Sequence, residues 1–86
     1  MERRHIDILT NRLEQVLDAG CTHILWSELY RWYGVQKIAA RTYRDLADRW
    51  QDVSEGRKGD LKMIEGQGGI YLLAADLIKS FPNGRD

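Results

Sequence analysis

The residues best able to do chemistry in this 86-residue chain are two histidines, one cysteine, a row of aspartates and a group of basic side chains near the middle. His5 and His23 have no carboxylate or nucleophile at a spacing that would make either one a general base, so no catalytic group is assembled. Cys21 stands alone. It can form no intramolecular disulfide, and with the two histidines it completes no zinc-ligand spacing, which leaves it the role of a small, half-buried apolar residue. Asp45, Asp48 and Asp52 recur along one side of a helix at a spacing suited to a cation, but acids standing among arginines are ordinary surface. Gly66, Gly68 and Gly69 lack both the Gly-Lys-Ser/Thr ending and the strand-to-helix setting of a phosphate loop, and mark a tight turn instead. The expectation is therefore no catalytic residue, no metal site and no cofactor.

The basic residues say more. Ala39, Tyr43, Leu46, Trp50 and Val53 are spaced four, three, four and three, which predicts an amphipathic helix over about 36–53. Its opposite face carries Lys37, Arg41 and Arg44 first, then Asp45, Asp48 and Asp52. A helix dipole favours the reverse order by on the order of a few tenths of a kcal/mol per group, so helix stability does not explain the bases. Two explanations stay open: a negatively charged ligand, or intrahelical pairing, since Arg41 and Asp45, like Arg44 and Asp48, are four apart.

The rest of the chain has to position that helix. Ile6, Leu9, Leu13, Val16 and Leu17 form the stripe of a first helix over 4–19, closed by Gly20. Ile8 lies off the stripe and hints at a second contact surface. A β-prone stretch at 21–26 leads to Ser27, an N-cap candidate for a second helix over 28–33. Leu29, Tyr30, Trp32 and Tyr33, with Leu25 and Trp26 upstream, cover a wide arc, as in a helix packed on more than one side. Gly34 breaks the pattern. After a basic turn at 54–59, two β-prone runs, 60–65 and 70–73, flank Gly66-Gln67-Gly68-Gly69 and read as a hairpin. Leu77, Ile78 and Phe81 fit either a continued strand or a short closing helix over 74–81, and residues 82–86 read as a frayed tail. Tyr43, Trp50 and Trp32 fall on apolar stripes and belong to the core.

Size and charge set the frame. A chain of this length supports one core, hence one domain over 1–86, and 43% hydrophobic with 30% charged residues is the balance of a folded soluble chain. No apolar run approaches the roughly 18 residues of a membrane helix, and Met1-Glu2-Arg3-Arg4-His5 leads into no apolar signal core, so the expected location is the cytoplasm. Thirteen Lys and Arg against thirteen Asp and Glu leave no global field to draw the chain onto nucleic acid, so the local distribution of charge decides.

The order helix, short strand, helix, turn, long helix, hairpin resembles the winged helix-turn-helix superfamily of DNA-binding domains. The likeness is carried by Trp26-Ser27-Glu28-Leu29-Tyr30, the Gly34-Val35 turn, Thr42-Tyr43-Arg44-Asp45-Leu46 and the hairpin at 66–69, and it spans roughly residues 5–73. The stretch from 34 to 42 is two or three residues longer than in many bacterial regulators, a departure that bears on where helix three begins. The resemblance implies an α+β fold, a small winged-helix domain of three helices plus a β-hairpin wing with a short strand before helix two. It also implies a third helix in the DNA major groove. On that reading Gln36, Lys37, Arg41 and Arg44 face base edges, Thr42 bonds a phosphate, and Arg57, Lys58, Lys62 and Gln67 are wing or phosphate contacts. The implied function is a small protein binding double-stranded DNA, a transcriptional regulator or a phage- or plasmid-type accessory factor, acting as a homodimer. The alternative is a winged-helix protein–protein interaction module, an assembly or inhibitor protein that does not bind DNA. Zero net charge, the aromatic arc of helix two and Ile8 favour that alternative.

Overall fold

In the computed structural model, which describes residues 1–82, the first apolar stripe forms α1 (Arg3–Ala19). His5, Leu9, Leu13 and Val16 are its buried residues, so a histidine opens the stripe while Ile6 is only half-buried. Gly20 ends the helix as its position predicts, its N–H donating to Val16 O at 2.9 Å. The next strand, β1 (Cys21–Leu25), buries Thr22 and Ile24 and turns Cys21, His23 and Leu25 outward. Cys21 is thus exposed rather than half-buried, because strand alternation assigns it to the outer face.

Helix α2 (Trp26–Tyr33) begins two residues earlier than expected, and Ser27 is not its cap. The N-cap is Leu25, which has no side-chain acceptor. Its backbone N–H is satisfied instead by the Glu28 carboxylate, reaching back to accept it at 3.0 Å. That carboxylate also accepts two N–H bonds from Arg12 of α1, at 2.7 and 3.2 Å, and Arg12 donates to His23 O at 2.9 Å. With its guanidinium 5.6 Å from the Trp32 ring centroid, Arg12 ties α1, β1 and α2 together. Leu29 and Trp32 are buried, Trp26 and Tyr33 half-buried, and Tyr30 exposed. The aromatic arc is therefore used mainly inward.

Gly34 takes a left-handed conformation, φ 63°, in which a side chain would be strained, and Val35 N–H bonds back to Tyr30 O at 3.1 Å. A connection over 34–39 follows, held down by Ile38 against the core. Helix α3 (Ala40–Ser54) therefore starts at Ala40 and not near residue 36. Leu46 and Trp50 are buried, with Tyr43 and Val53 packed at the edge of the core, and Trp50 Nε1–H donates to Gly59 O at 2.9 Å. Ala39, the expected head of the stripe, is exposed and lies before the helix.

The hairpin is β2 (Leu61–Glu65) and β3 (Gly69–Ala74), and β1 pairs antiparallel with β3 to give a three-stranded sheet of order β1-β3-β2. Ile24 lies opposite Ile70 and Thr22 opposite Leu72, so one sheet face closes over Leu9, Leu13, Leu29 and Trp50. Gly69, opposite Leu25, has no room for a side chain: a Cβ there would sit 2.1 Å from Ile24 O. After Ala74 the chain does not continue as a strand, and the closing helix is a short one. The chain makes one 3-10 turn, Ala75–Leu77, and runs on with Ile78 and Phe81 exposed. The α+β class, the three helices with a hairpin, and the short strand before α2 match the sequence expectation. Beyond Pro82, the expected frayed tail lies outside the described residues. No helix is long and apolar enough to cross a membrane among the described residues.

Candidate nucleic-acid interface

The surface that the sequence singles out is the start of α3. No acid occupies the first turn and no side chain caps it, since Ala39 offers no acceptor. The positive end of the helix dipole is thus left open to an anion. Arg41 and Arg44 are exposed there, and among the described residues neither forms an ion pair. The intrahelical pairs of Arg41 with Asp45 and Arg44 with Asp48 do not form.

A tertiary contact takes Asp45 away from Arg41. Asp45 Oδ2 accepts the Tyr33 hydroxyl at 2.6 Å and Arg49 Nε–H at 2.7 Å, joining α2 to α3. Partial burial resists ionisation of Asp45, but the hydrogen bonds from Tyr33 and Arg49 outweigh it and hold its carboxyl below the usual carboxylate range. Burial and the Asp45 acceptor push the Tyr33 phenol far above its ordinary range, so it remains a donor. A hollow of about 320 Å³ opens beside this network, lined by Met1, Tyr33, Val35, Arg41, Thr42, Asp45 and Arg49.

The remaining expected contacts divide. Gln36 and Lys37 are exposed, but they lie on the connection before α3 and not on the helix, because the chain leaving α2 is held at Val35 and Ile38. Thr42 is buried in the wall of the hollow, which withdraws it from an outward phosphate contact. Arg57 and Lys58 belong to the turn between α3 and β2 instead of the wing. Arg57 pairs with Glu55, and Lys58 is half-buried. Lys62 lies opposite Leu73 on the sheet face turned away from the helices. Only Gln67 sits exposed at the wing tip. The wing face next to α3 carries Met63 and Glu65, and Met63, Leu61, Tyr43 and Ala47 line an apolar groove of about 150 Å³ between this face and the helix. The wing is held in place by Trp26, whose Nε1–H donates to Gly66 O at 3.0 Å and whose backbone N–H donates to Gly68 O at 3.2 Å.

Sequence reasoning missed two arginines. Arg49 is the partner that Asp45 takes. Arg31, read only as the polar side of α2, is exposed and borders a hollow that shares Met1 and Tyr33 with the one beneath Arg41. Arg31, Lys37, Arg41 and Arg44 form no ion pair among the described residues, and they lie on α2, the α2–α3 connection and the first two turns of α3. Among the described residues no group of three or more His, Cys, Asp or Glu is placed to hold a metal ion. Comparison with family models, with curated proteins and with solved structures gives no match to this chain.

Proposed function

We propose that the chain is a small winged-helix protein that binds double-stranded DNA with the start of α3, working in the cytoplasm as a transcriptional regulator or a phage- or plasmid-type accessory factor. The observation that carries this reading is the exposure of Arg41 and Arg44 on the first two turns of α3, free of acid partners among the described residues. A guanidinium at that place can donate two parallel bonds to guanine O6 and N7, while Arg31 and Lys37 alongside neutralise phosphates. The helix and strand order, and a wing pinned to α2 by Trp26, agree with the superfamily resemblance. A duplex titration tests the reading. Each neutralised phosphate steepens the dependence of log affinity on log salt by about 0.9, so the two phosphate contacts of Arg31 and Lys37 predict a loss of roughly 10-fold between about 50 and about 200 mM salt. Absence of binding at low salt, or affinity indifferent to salt, refutes it.

A second reading, a protein-binding module that leaves DNA alone, is favoured by a different surface. Leu25, Ile64 and Tyr71 are 45%, 58% and 48% exposed on the outer face of the sheet, and Glu65 on the wing is an acid beside α3. Co-purification of a protein partner together with a failed duplex titration would select it.

A further inference from the structure

The sheet has a second face that the core does not use. β1 contributes Cys21, His23 and Leu25 to it, β3 Tyr71 and Leu73, and β2 Lys62 and Ile64. A one-sided antiparallel sheet ordinarily turns polar residues to water, yet this face carries a single charge. His23 and Tyr71 meet at its centre, ring centroids 4.4 Å apart and planes tilted by 34°. At the Cys21 end of the sheet the chain leaves β3 through the 3-10 turn, and Leu77 reaches to within 3.3 Å of where a Gly20 Cβ would stand. Beyond it Ile78 is 52% and Phe81 93% exposed, so the tail presents large apolar side chains that nothing covers among the described residues.

From these surfaces we infer that two copies of the chain associate through the outer sheet face, with the 77–81 tail of each lying along its partner. Size supports a second copy. Leu25, Ile64 and Tyr71 leave about 300 Å² uncovered, the size of the largest apolar patch on a typical monomer, which is often a functional one. Leu77, Ile78 and Phe81 add about 400 Å², which brings each copy close to the roughly 800 Å² per partner of a stable interface. Charge supports it too. The face offers no acid and one lysine, so it selects no charged partner, while a formal net charge of zero lets identical chains approach without repulsion. An isologous two-fold contact needs a patch complementary to itself, and a flat face of aliphatic and aromatic groups satisfies that. This gives a homodimer its surface and does not depend on DNA binding.

Sedimentation equilibrium of the full chain without DNA tests the inference. The wild-type protein, 10.0 kDa as a monomer, is expected near twice that mass at about 100 μM and to dissociate on dilution. Ile64→Glu and Phe81→Ser should each weaken association by at least about 10-fold, because each removes apolar contact twice in a symmetric dimer. Phe81 is too exposed for its loss to unfold the monomer, and circular dichroism checks the fold of Ile64→Glu. Ile8→Glu, 40% exposed on α1, should leave the mass unchanged. A wild-type monomer at every concentration overturns the inference. So does a dimer indifferent to Ile64→Glu, or one that Ile8→Glu dissociates. A dimer indifferent to Phe81→Ser alone removes the tail from the interface.

Discussion

Replacing Gly69 with alanine inserts a Cβ 2.1 Å from Ile24 O, 2.8 Å from Leu25 Cα and 2.9 Å from Ile24 C. All three atoms belong to the backbone of β1, which is paired with β3 and continues into α2, so no flexible side chain can yield. Overpacking of this kind costs about 1–3 kcal/mol, and contact with fixed backbone places Gly69→Ala at the upper end. Alanine also restricts the unfolded chain, which offsets about 0.4–1 kcal/mol. A net loss of about 2 kcal/mol corresponds, for a domain of this size, to a fall in Tm of about 8–16 °C. The strain falls where Trp26 N–H meets Gly68 O, so the wing should loosen along with the sheet. Gly68→Ala is the matched control: nothing lies within 4 Å of its Cβ position, and its φ is not in the left-handed range. Its Tm should stay within about 3 °C of wild type, in keeping with a surface substitution. Thermal melts followed by far-ultraviolet circular dichroism decide the matter. A Gly69→Ala protein melting with the Gly68→Ala control would refute the close packing of β1 on β3.

Other consequences follow from single side chains. Arg12→Ala strands the Glu28 carboxylate and the His23 carbonyl and should cost about 2 kcal/mol in urea unfolding; with Glu28→Ala added the loss should be less than the sum of the two. Glu28 is opposed by burial, but the bonds from Arg12 and from Leu25 N–H outweigh it and hold its carboxyl below the ordinary 4.5. A depressed carboxyl stabilises fully above its unfolded value and loses that contribution as pH falls through the lower folded value, so wild-type Tm should drop below about pH 4.5 and Glu28→Gln should drop less. Ser54 Oγ is buried without a hydrogen-bond partner among the described residues, so Ser54→Ala should leave stability unchanged or raise it by up to about 1 kcal/mol, read from the same unfolding curves.

Helices α1 and α3 and the hairpin were legible because each rests on local rules: a 3.6-residue stripe, a glycine at a helix end, a glycine-rich turn between β-prone runs. The start of α2 was not. Ser27 has the chemistry of a cap, but the amide that needs an acceptor belongs to Leu25, and Glu28 three residues on supplies it. The pairing of Asp45 was hidden for a similar reason. Arg41 and Arg49 both stand four residues from it, and Tyr33, arriving from another helix, fixes the carboxylate toward Arg49. The side on which Lys62 lies was hidden by strand alternation. Leu61, Met63 and Ile64 are apolar on both faces of β2, so the sequence shows no polar side, and only the pairing with β3 reveals that Lys62 turns away from α3. Cys21 was misjudged in the same way, its neighbours Thr22 and Ile24 taking the inward positions. Of the expected cations, Lys37, Arg41 and Arg44 are exposed at the α2–α3 connection and the start of α3, joined by Arg31 from α2.

Selection of the wild-type protein and its Arg44→Ala variant against a random duplex pool tests the central claim most directly. Arg44 is exposed and makes no ion pair among the described residues, so its truncation leaves the fold and Tm unchanged. The proposal predicts an enriched sequence containing guanine for the wild type. In the variant that preference should relax at one position, with affinity for the site falling by about 1–3 kcal/mol. A wild-type pool with no enriched sequence, or an Arg44→Ala variant that enriches the same sequence equally well, would contradict the assignment of α3 as the reading helix.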